Sequence, residues 1–369
     1  MATVLLARFM YSLNWFLTSP ALPVIAQEGS IPLWMLGLVP LAFFISTGAC
    51  QIPAGFVSNR LGSTRTYVLG LVVLSLGNLI LPLSPDVTWL LFTRALAGVG
   101  AALFFASAGG VVLGLYPEKP GLIMGLYNVA FALGGGGGLL WGVLEQAYGW
   151  RFGIALGGVL GFAVALVNLA IVGGVAVKGR YDVRQALKLF SDRTMVLGAA
   201  SYVGVWGAYF AVGQLLPTYQ QTVLAQTTGQ SGIESSPLLF ASILGGLSSV
   251  LYDRTSHKKG LLLLAGALAA FPVALFPFGN GMLILPALLV MGFFNELAIS
   301  MFYAFAGNQS PEEASASLAV VNMIQILLGM WVSPLLSVIA YTFSWNLGWF
   351  VVGVGSLIPL LLLIKVRIK

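Results

Sequence analysis

Two ionisable side chains interrupt long apolar runs. Glu296 lies near the middle of the run 281–306, and Arg94 lies about eight residues into the run 87–115. Each costs about 2.5–3.5 kcal/mol at the centre of a membrane-spanning helix, so function is the default reading. A carboxyl there can take up and release a proton as its surroundings alternate, which makes Glu296 the candidate proton acceptor. Glu296, Ser300 and Tyr303 share one helix face at i, i+4 and i+7. Arg94 shares a face with Gly98, Ala101 and Phe105. Two functional readings stand for Arg94: it holds an anionic group of a substrate, or it pairs with Glu296. A static buried ion pair or a hydrogen-bonded packing residue is the alternative for both. Glu145 sits only at the outer end of its run.

Polar and aromatic stripes accompany these residues. One comprises Tyr11, Asn14 and Thr18 with Trp15 beside them; a second comprises Tyr202, Trp206, Tyr209 and Gln220. Asn322, Gln325 and Asn128 add amides. In lipid such groups face protein or water. They read as the lining of a substrate cavity, or as glue between helices. Inter-helix pairing is the preferred reading for Asn128 and Asn322.

The elements that must position these groups follow from composition. Of 369 residues, 59% are hydrophobic and 8% charged, and mean hydropathy is +0.96. Soluble domains carry about 25% charge, so a soluble globule and a disordered chain are both excluded. Barrel strands alternate apolar and polar residues. Here the runs are nearly continuous over about twenty residues, as in 195–216 and 348–364, which is a helix-spanning length. Twelve such segments appear, near 3–25, 32–57, 66–84, 87–115, 121–146, 150–176, 195–222, 235–252, 260–278, 281–306, 314–341 and 345–364. The expected fold is an all-α membrane protein of twelve transmembrane helices in the lipid bilayer. In the first segment Arg8 follows apolar residues instead of preceding them, unlike a secretory leader. The single Cys50 and single His257 offer neither a disulfide nor a metal cluster, and no cofactor is expected. With the N-terminus inside, fifteen of seventeen basic residues fall inside, Arg8, Arg60 and Arg65 among them. Both termini are expected in the cytoplasm of a multi-pass plasma-membrane protein. The charge of +6 then reports topology and no nucleic-acid partner.

Shifting the chain by 194 residues aligns Leu22-Pro23 with Leu216-Pro217, Asn59-Arg60 with Asp253-Arg254, Pro117-Glu118 with Pro311-Glu312, and Asn128 with Asn322. Two six-helix halves, 1–177 and 195–369, related by a pseudo-twofold along the membrane normal, are expected. Residues 178–194 form a linker that reads as a short amphipathic surface helix or a plain tether.

The loop Gly55-Phe-Val-Ser-Asn59-Arg60-Leu-Gly62-Ser-Thr-Arg65 resembles the signature of the major facilitator superfamily, G-x-x-x-D-R-x-G-x-R/K, with Asn59 where the family has an acid. Asp253-Arg254 is a weaker copy, and Arg94-Ala-Leu-Ala-Gly98-Val-Gly100 resembles the family's R-x-x-x-G-x-G element. The resemblance covers the whole chain. It implies alternating access through a cavity lined largely by spans one, four, seven and ten. The loop residues Gly55, Asn59, Arg60, Gly62 and Arg65, with Asp253 and Arg254, are the candidate cytoplasmic gate. The run Gly134–Gly138 partly resembles the antiporters' glycine element, without its proline. The nitrate branch resembles the chain less well, since it needs a buried arginine in span two.

These readings converge on a monomeric secondary transporter of a small organic solute, coupled to protons. A proton-antiport efflux pump for amphipathic compounds and an uncoupled uniporter are the alternatives. An intramembrane enzyme lacks a clustered nucleophile and base, and no phosphate-binding loop supplies ATP energy.

Overall fold

A computed structural model describes residues 1–83, 85–115, 120–172, 188–248, 255–278, 281–309 and 314–366. The first half contains α1 (Ala2–Phe16), α2 (Thr18–Glu28), α3 (Leu33–Leu36), α4 (Leu38–Ala49), α5 (Gln51–Leu61) and α6 (Ser63–Ile80). It continues with α7 (Val87–Leu115), α8 (Pro120–Leu140), α9 (Gly142–Tyr148) and α10 (Trp150–Val172). The second half contains α11 (Arg193–Ser201), α12 (Val203–Val223), α13 (Thr228–Ser235), α14 (Pro237–Leu247) and α15 (Lys258–Ala270). It ends with α16 (Ile284–Gln309), α17 (Ala314–Gly329), α18 (Val332–Thr342), α19 (Trp345–Gly355) and α20 (Leu357–Leu360). Among the described residues, nine helices are long and apolar enough to cross a membrane, and the pair Leu33–Ala49 with Gln51–Leu61, bent by 50°, makes ten. The first and eighth expected spans are helical too, as α1 with α2 and as α14.

Proline accounts for five breaks within the spans, while those at Trp141 and Tyr202 have no proline near them. The helices are interrupted at Leu17, Gly37, Cys50, Trp331 and Ser356, and each of these stands three residues before a proline: Pro20, Pro40, Pro53, Pro334 and Pro359. A proline ring lacks the N–H and collides with the carbonyl four residues back, so the helical ladder opens there. Pro23 and Pro217, matched by the repeat, lie inside α2 and α12.

Side chains on the outer faces are apolar and exposed. Leu166, Leu169 and Ile171 on α10, and Ile358, Leu361 and Ile364 at the C-terminal end, are all uncovered. Such a surface suits hydrocarbon as its solvent.

Two compact units are present. Unit 1 is Met1–Pro32, Leu38–Tyr181 and Pro217–Ser236; unit 2 is Leu33–Gly37, Asp182–Leu216 and Pro237–Lys369. Within each unit, glycines set the helix spacing. A Cβ on Gly98 of α7 would stand 2.2 Å from the Phe43 carbonyl oxygen of α4. A Cβ on Gly292 of α16 would stand 2.1 Å from the Leu238 carbonyl oxygen of α14. Gly98 and Gly292 are themselves 194 residues apart and their carbonyl partners 195, so the repeat preserves this helix contact to within one residue. It does not preserve the charges: Arg94 is answered by Leu288, and Glu296 by Ala102. Gly134 and Gly138 of the five-glycine run likewise admit the backbone of α1, at Phe9 and Leu13.

Outside the spans, Glu28 at the end of α2 accepts from Trp150 Nε1 at 3.1 Å and pairs with Arg151 at 2.7 Å. The Trp150 hydrogen bond, and then Arg151, hold the Glu28 carboxyl below its ordinary value of 4.5. A depressed carboxylate adds stability that is complete above its unfolded value and is lost as pH falls through the folded one. Glu28→Gln is therefore expected to flatten the slope of the melting temperature below about pH 4.5, the effect being small because both side chains are solvated. Melting curves of both proteins in detergent, pH by pH, check this.

Candidate functional site

The Arg94 guanidinium is fully buried in unit 1. Nη1 donates to Thr18 Oγ1 at 3.3 Å and to Asn78 Oδ1 at 3.4 Å, and Nη2 donates to the Trp15 carbonyl at 3.2 Å. Its Cζ lies 4.6 Å from the centre of the Phe43 ring. Asn78 in turn donates from Nδ2 to the Asn14 carbonyl and to Asn14 Oδ1 at 3.0 and 2.8 Å. Asn14 donates onward to the Met10 carbonyl at 2.8 Å and the Gly157 carbonyl at 3.4 Å. One amide-linked chain thus ties α1, α2, α6, α7 and α10. Asn14, Trp15 and Thr18 meet Arg94 as the stripe anticipated. Asn78 stands at the apolar C-terminal end of α6, where the sequence gives no charged or amide neighbour to mark it.

A second arginine lies inside the same unit. Arg8 is only 4% exposed, whereas the orientation count treats it as a surface charge. The aromatic rings of Tyr127, Phe131, Tyr11 and Phe105 stand 4.2, 4.6, 4.8 and 5.4 Å from its Cζ. Tyr11 stacks on Phe104 at 4.5 Å between ring centres and leans on Trp15 at 5.1 Å. Arg8 Nε and Nη1 have no hydrogen-bond partner, and the Tyr11 hydroxyl has no acceptor. Glu145 is also buried, with neither carboxyl oxygen partnered, and packs against Gly153. Among the described residues, Arg151 with Glu28 is the one ion pair within 4 Å.

Glu296 belongs to unit 2 and is half-buried on α16. Ser300, one turn on, donates to Glu296 Oε1 at 3.4 Å. Gly246 leaves the space beside its side chain: a Cβ there would stand 3.2 Å from Glu296 Cγ. The Tyr209 hydroxyl bonds Ser242 Oγ at 2.9 Å, and Ser242 also reaches the Leu238 and Gly292 carbonyls at 3.1 Å. The Tyr303 hydroxyl donates to Asn322 Oδ1 at 3.1 Å, joining α16 to α17. Gln325 is buried, and neither end of its amide has a partner. Tyr202 and Trp206 sit in packed surroundings. Tyr202 donates to the Leu262 carbonyl at 2.8 Å and stacks on Phe302, while Trp206 lies against Phe210 and Gly329. Gln220 falls in unit 1, where its Oε1 accepts from Ser235 at 2.7 Å and its Nε2 reaches Glu234 at 3.5 Å.

In the signature loop, α5 ends at Leu61 and α6 begins at Ser63, with Gly62 between them at φ 83° and ψ 151°. That conformation is open to glycine almost alone. Asn59, Arg60 and Arg65 are exposed around the turn, and Gly55 is buried. Asp253 and Arg254 lie outside the described residues, as does most of the linker 178–194. Among the described residues, no group of three His, Cys, Asp or Glu side chains is placed to hold a metal.

The family model described as Major Facilitator Superfamily matches residues 4–334. The chain belongs to the Major Facilitator Superfamily. The probable nitrate transporter NarT of Staphylococcus epidermidis is 22% identical over 99% of this chain and 94% of its own length. The riboflavin transporter RibZ of Clostridioides difficile is 22% identical over 56% of this chain and 47% of its own, so the match spans about half of that relative. The fold is shared with a bacterial homologue of the human lysosomal transporter Spinster, at 14% identity, TM-score 0.75, and coverage of 100% and 98%. The chain is thus a membrane-embedded member of a superfamily whose relatives above are named as transporters. Its all-α architecture of twelve helices in two halves is that of the superfamily.

Proposed function

We propose that the chain is a secondary active transporter that moves a small organic solute by alternating access, coupled to protons through Glu296. The observation that carries this reading is the setting of Glu296. It is a half-buried carboxylate in the middle of a membrane-spanning helix, with a serine hydroxyl one turn away and a glycine in place of a side chain beside it. A group so placed can exchange a proton with one side of the membrane and then the other as its cover changes.

Arg94 serves this mechanism as a positioning residue. Its Nη1 and Nη2 donors are already used by Thr18, Asn78 and the Trp15 carbonyl, which fixes α1 and α2 to the helices behind them. The exposed Arg60 and Arg65, with Asn59, form the cytoplasmic gate around the Gly62 turn. Gly134 and Gly138 are needed for packing on α1, so they favour neither import nor export.

The test uses purified protein in sealed liposomes with a trapped pH dye and pooled metabolites outside. The expected result is a solute-triggered change of luminal pH that Glu296→Gln abolishes. An unchanged pH response in that variant would remove Glu296 from the coupling step. Solute movement without any pH change would favour the uniporter.

A further inference from the structure

We propose that Arg8 and its aromatic cage form an anion-binding subsite in unit 1, built for an aromatic carboxylate. The proposal rests on the transporter reading for its biological purpose, but not for its chemistry.

The argument starts from what the cage satisfies and what it leaves open. Four rings at 4.2–5.4 Å present π faces to the guanidinium. Cation–π contacts of this kind contribute about 0.5–2 kcal/mol each. The Tyr11 and Tyr127 hydroxyls also lie within the guanidinium's reach, but neither is a charged acceptor and neither satisfies Nε or Nη1. Three donors then lack acceptors in one small volume: Arg8 Nε, Arg8 Nη1 and the Tyr11 hydroxyl. Buried donors are almost always paired, and an orphaned one costs about 1–3 kcal/mol. Arg8 and Tyr11 are three residues apart on α1, so their polar ends converge on the same face. No carboxylate of the described chain lies within ion-pair distance of Arg8.

The partner that fits is an anionic acceptor with no donor of its own, and a carboxylate is the organic group that meets this with a single charge and two oxygens. The walls specify the rest of it. Tyr127 and Phe131 come from α8 and Phe105 from α7, and Phe104 stacks against Tyr11. A flat apolar body is what such walls hold by stacking. Arg94 is the weaker candidate for this role, because its Nη1 and Nη2 already have acceptors within unit 1 and only Nε lacks one.

The test is calorimetric binding to the purified full chain in detergent, which requires no transport. The probes are benzoate, phenylacetate and indole-3-acetate, each compared with its neutral amide and with acetate. The wild type is expected to bind at least one aryl acid ten times more tightly than both its amide and acetate. Arg8→Met is expected to abolish that preference. Arg8→Lys keeps the charge but loses the planar fork and is expected to weaken binding about tenfold. Tyr11→Phe is expected to weaken it three- to tenfold and guards against a misfolded arginine variant.

Amides that bind as well as their acids in the wild type would overturn the proposal, as would an acid preference that survives Arg8→Met. Acetate binding as tightly as the aryl acids would overturn the aromatic assignment. Aryl-acid binding that depends on Arg8, together with an unchanged pH response in Glu296→Gln liposomes, would leave this subsite standing while the coupling role of Glu296 falls.

Discussion

Replacing Asn78 with leucine is expected to destabilise the folded protein by about 3–5 kcal/mol. Asn78 is fully buried and makes three hydrogen bonds in one place. Its Nδ2 donates to the carbonyl and the side-chain oxygen of Asn14, and its Oδ1 accepts from Arg94. Leucine is nearly the same size, so the cost is electrostatic. Asn14 Oδ1 is stranded in a low-dielectric interior, and a buried guanidinium with no carboxylate partner loses one of its few acceptors. Each orphaned neutral group costs about 1–3 kcal/mol, and a charged one costs more. Reversible denaturation in detergent measures the loss. A double-mutant cycle with Asn14→Ala separates the network from simple volume change. The double variant is expected to lose at least about 1 kcal/mol less than the sum of the singles, because they share a bond. Strict additivity would mean that the asparagine pair contributes little. The same variant frees Arg94 from part of its cradle, so transport is expected to fall even where the protein remains folded.

Legibility in the sequence divides along physical lines. The twelve spans were readable because continuous apolarity over about twenty residues has no other stable outcome for a chain of this composition. Five of their breaks were readable in principle, since each lies three residues before a proline, but those at Trp141 and Tyr202 carry no such mark. Spacing placed Ser300 beside Glu296 on one helix, and the structure joins them by a hydrogen bond. It also grouped Asn14, Trp15 and Thr18, all of which lie in the Arg94 network. What spacing did not carry was the choice of partner between helices. Thr64, Tyr67, Ser75 and Asn78 share one face of α6, but that sparse stripe does not say which helix Asn78 meets. Tyr202 and Trp206 share a stripe with Tyr209, but the stripe does not reveal that Tyr202 reaches the Leu262 carbonyl on α15. Arg8 escaped notice for a related reason. A basic residue in the first turns of the chain fits the inside-positive pattern, and only tertiary packing shows Arg8, midway along α1, enclosed by rings from α1, α7 and α8.

Glycine positions on these helices supply the second large effect, and they differ sharply from one another. Gly98→Ala and Gly292→Ala are each expected to cost about 2–3 kcal/mol, at the upper end of over-packing penalties. The added methyl of Gly98→Ala would lie 2.2 Å from the Phe43 carbonyl oxygen and 2.2 Å from Ser46 Oγ. That of Gly292→Ala would lie 2.1 Å from the Leu238 carbonyl oxygen. A serine hydroxyl can rotate away, but a helix carbonyl cannot, so α4 must separate from α7 and α14 from α16. Separation forfeits the dispersion contacts that drive association in lipid, where no hydrophobic force between helices exists to compensate. Gly137→Ala is the control. It also stands in a tightly packed helix, but its nearest neighbour would be the Phe9 ring at 3.5 Å, an ordinary contact. It is expected to be neutral, or to gain up to about 1 kcal/mol from helix propensity. Melting temperatures of the three variants in one detergent decide the matter. The equivalence of Gly98 and Gly292 carries the deeper point. The two halves share the contact that builds each of them, while their charged residues occupy unmatched places. The repeat therefore specifies the scaffold, and Arg8, Arg94 and Glu296 carry the asymmetry on which a specific transport reaction depends.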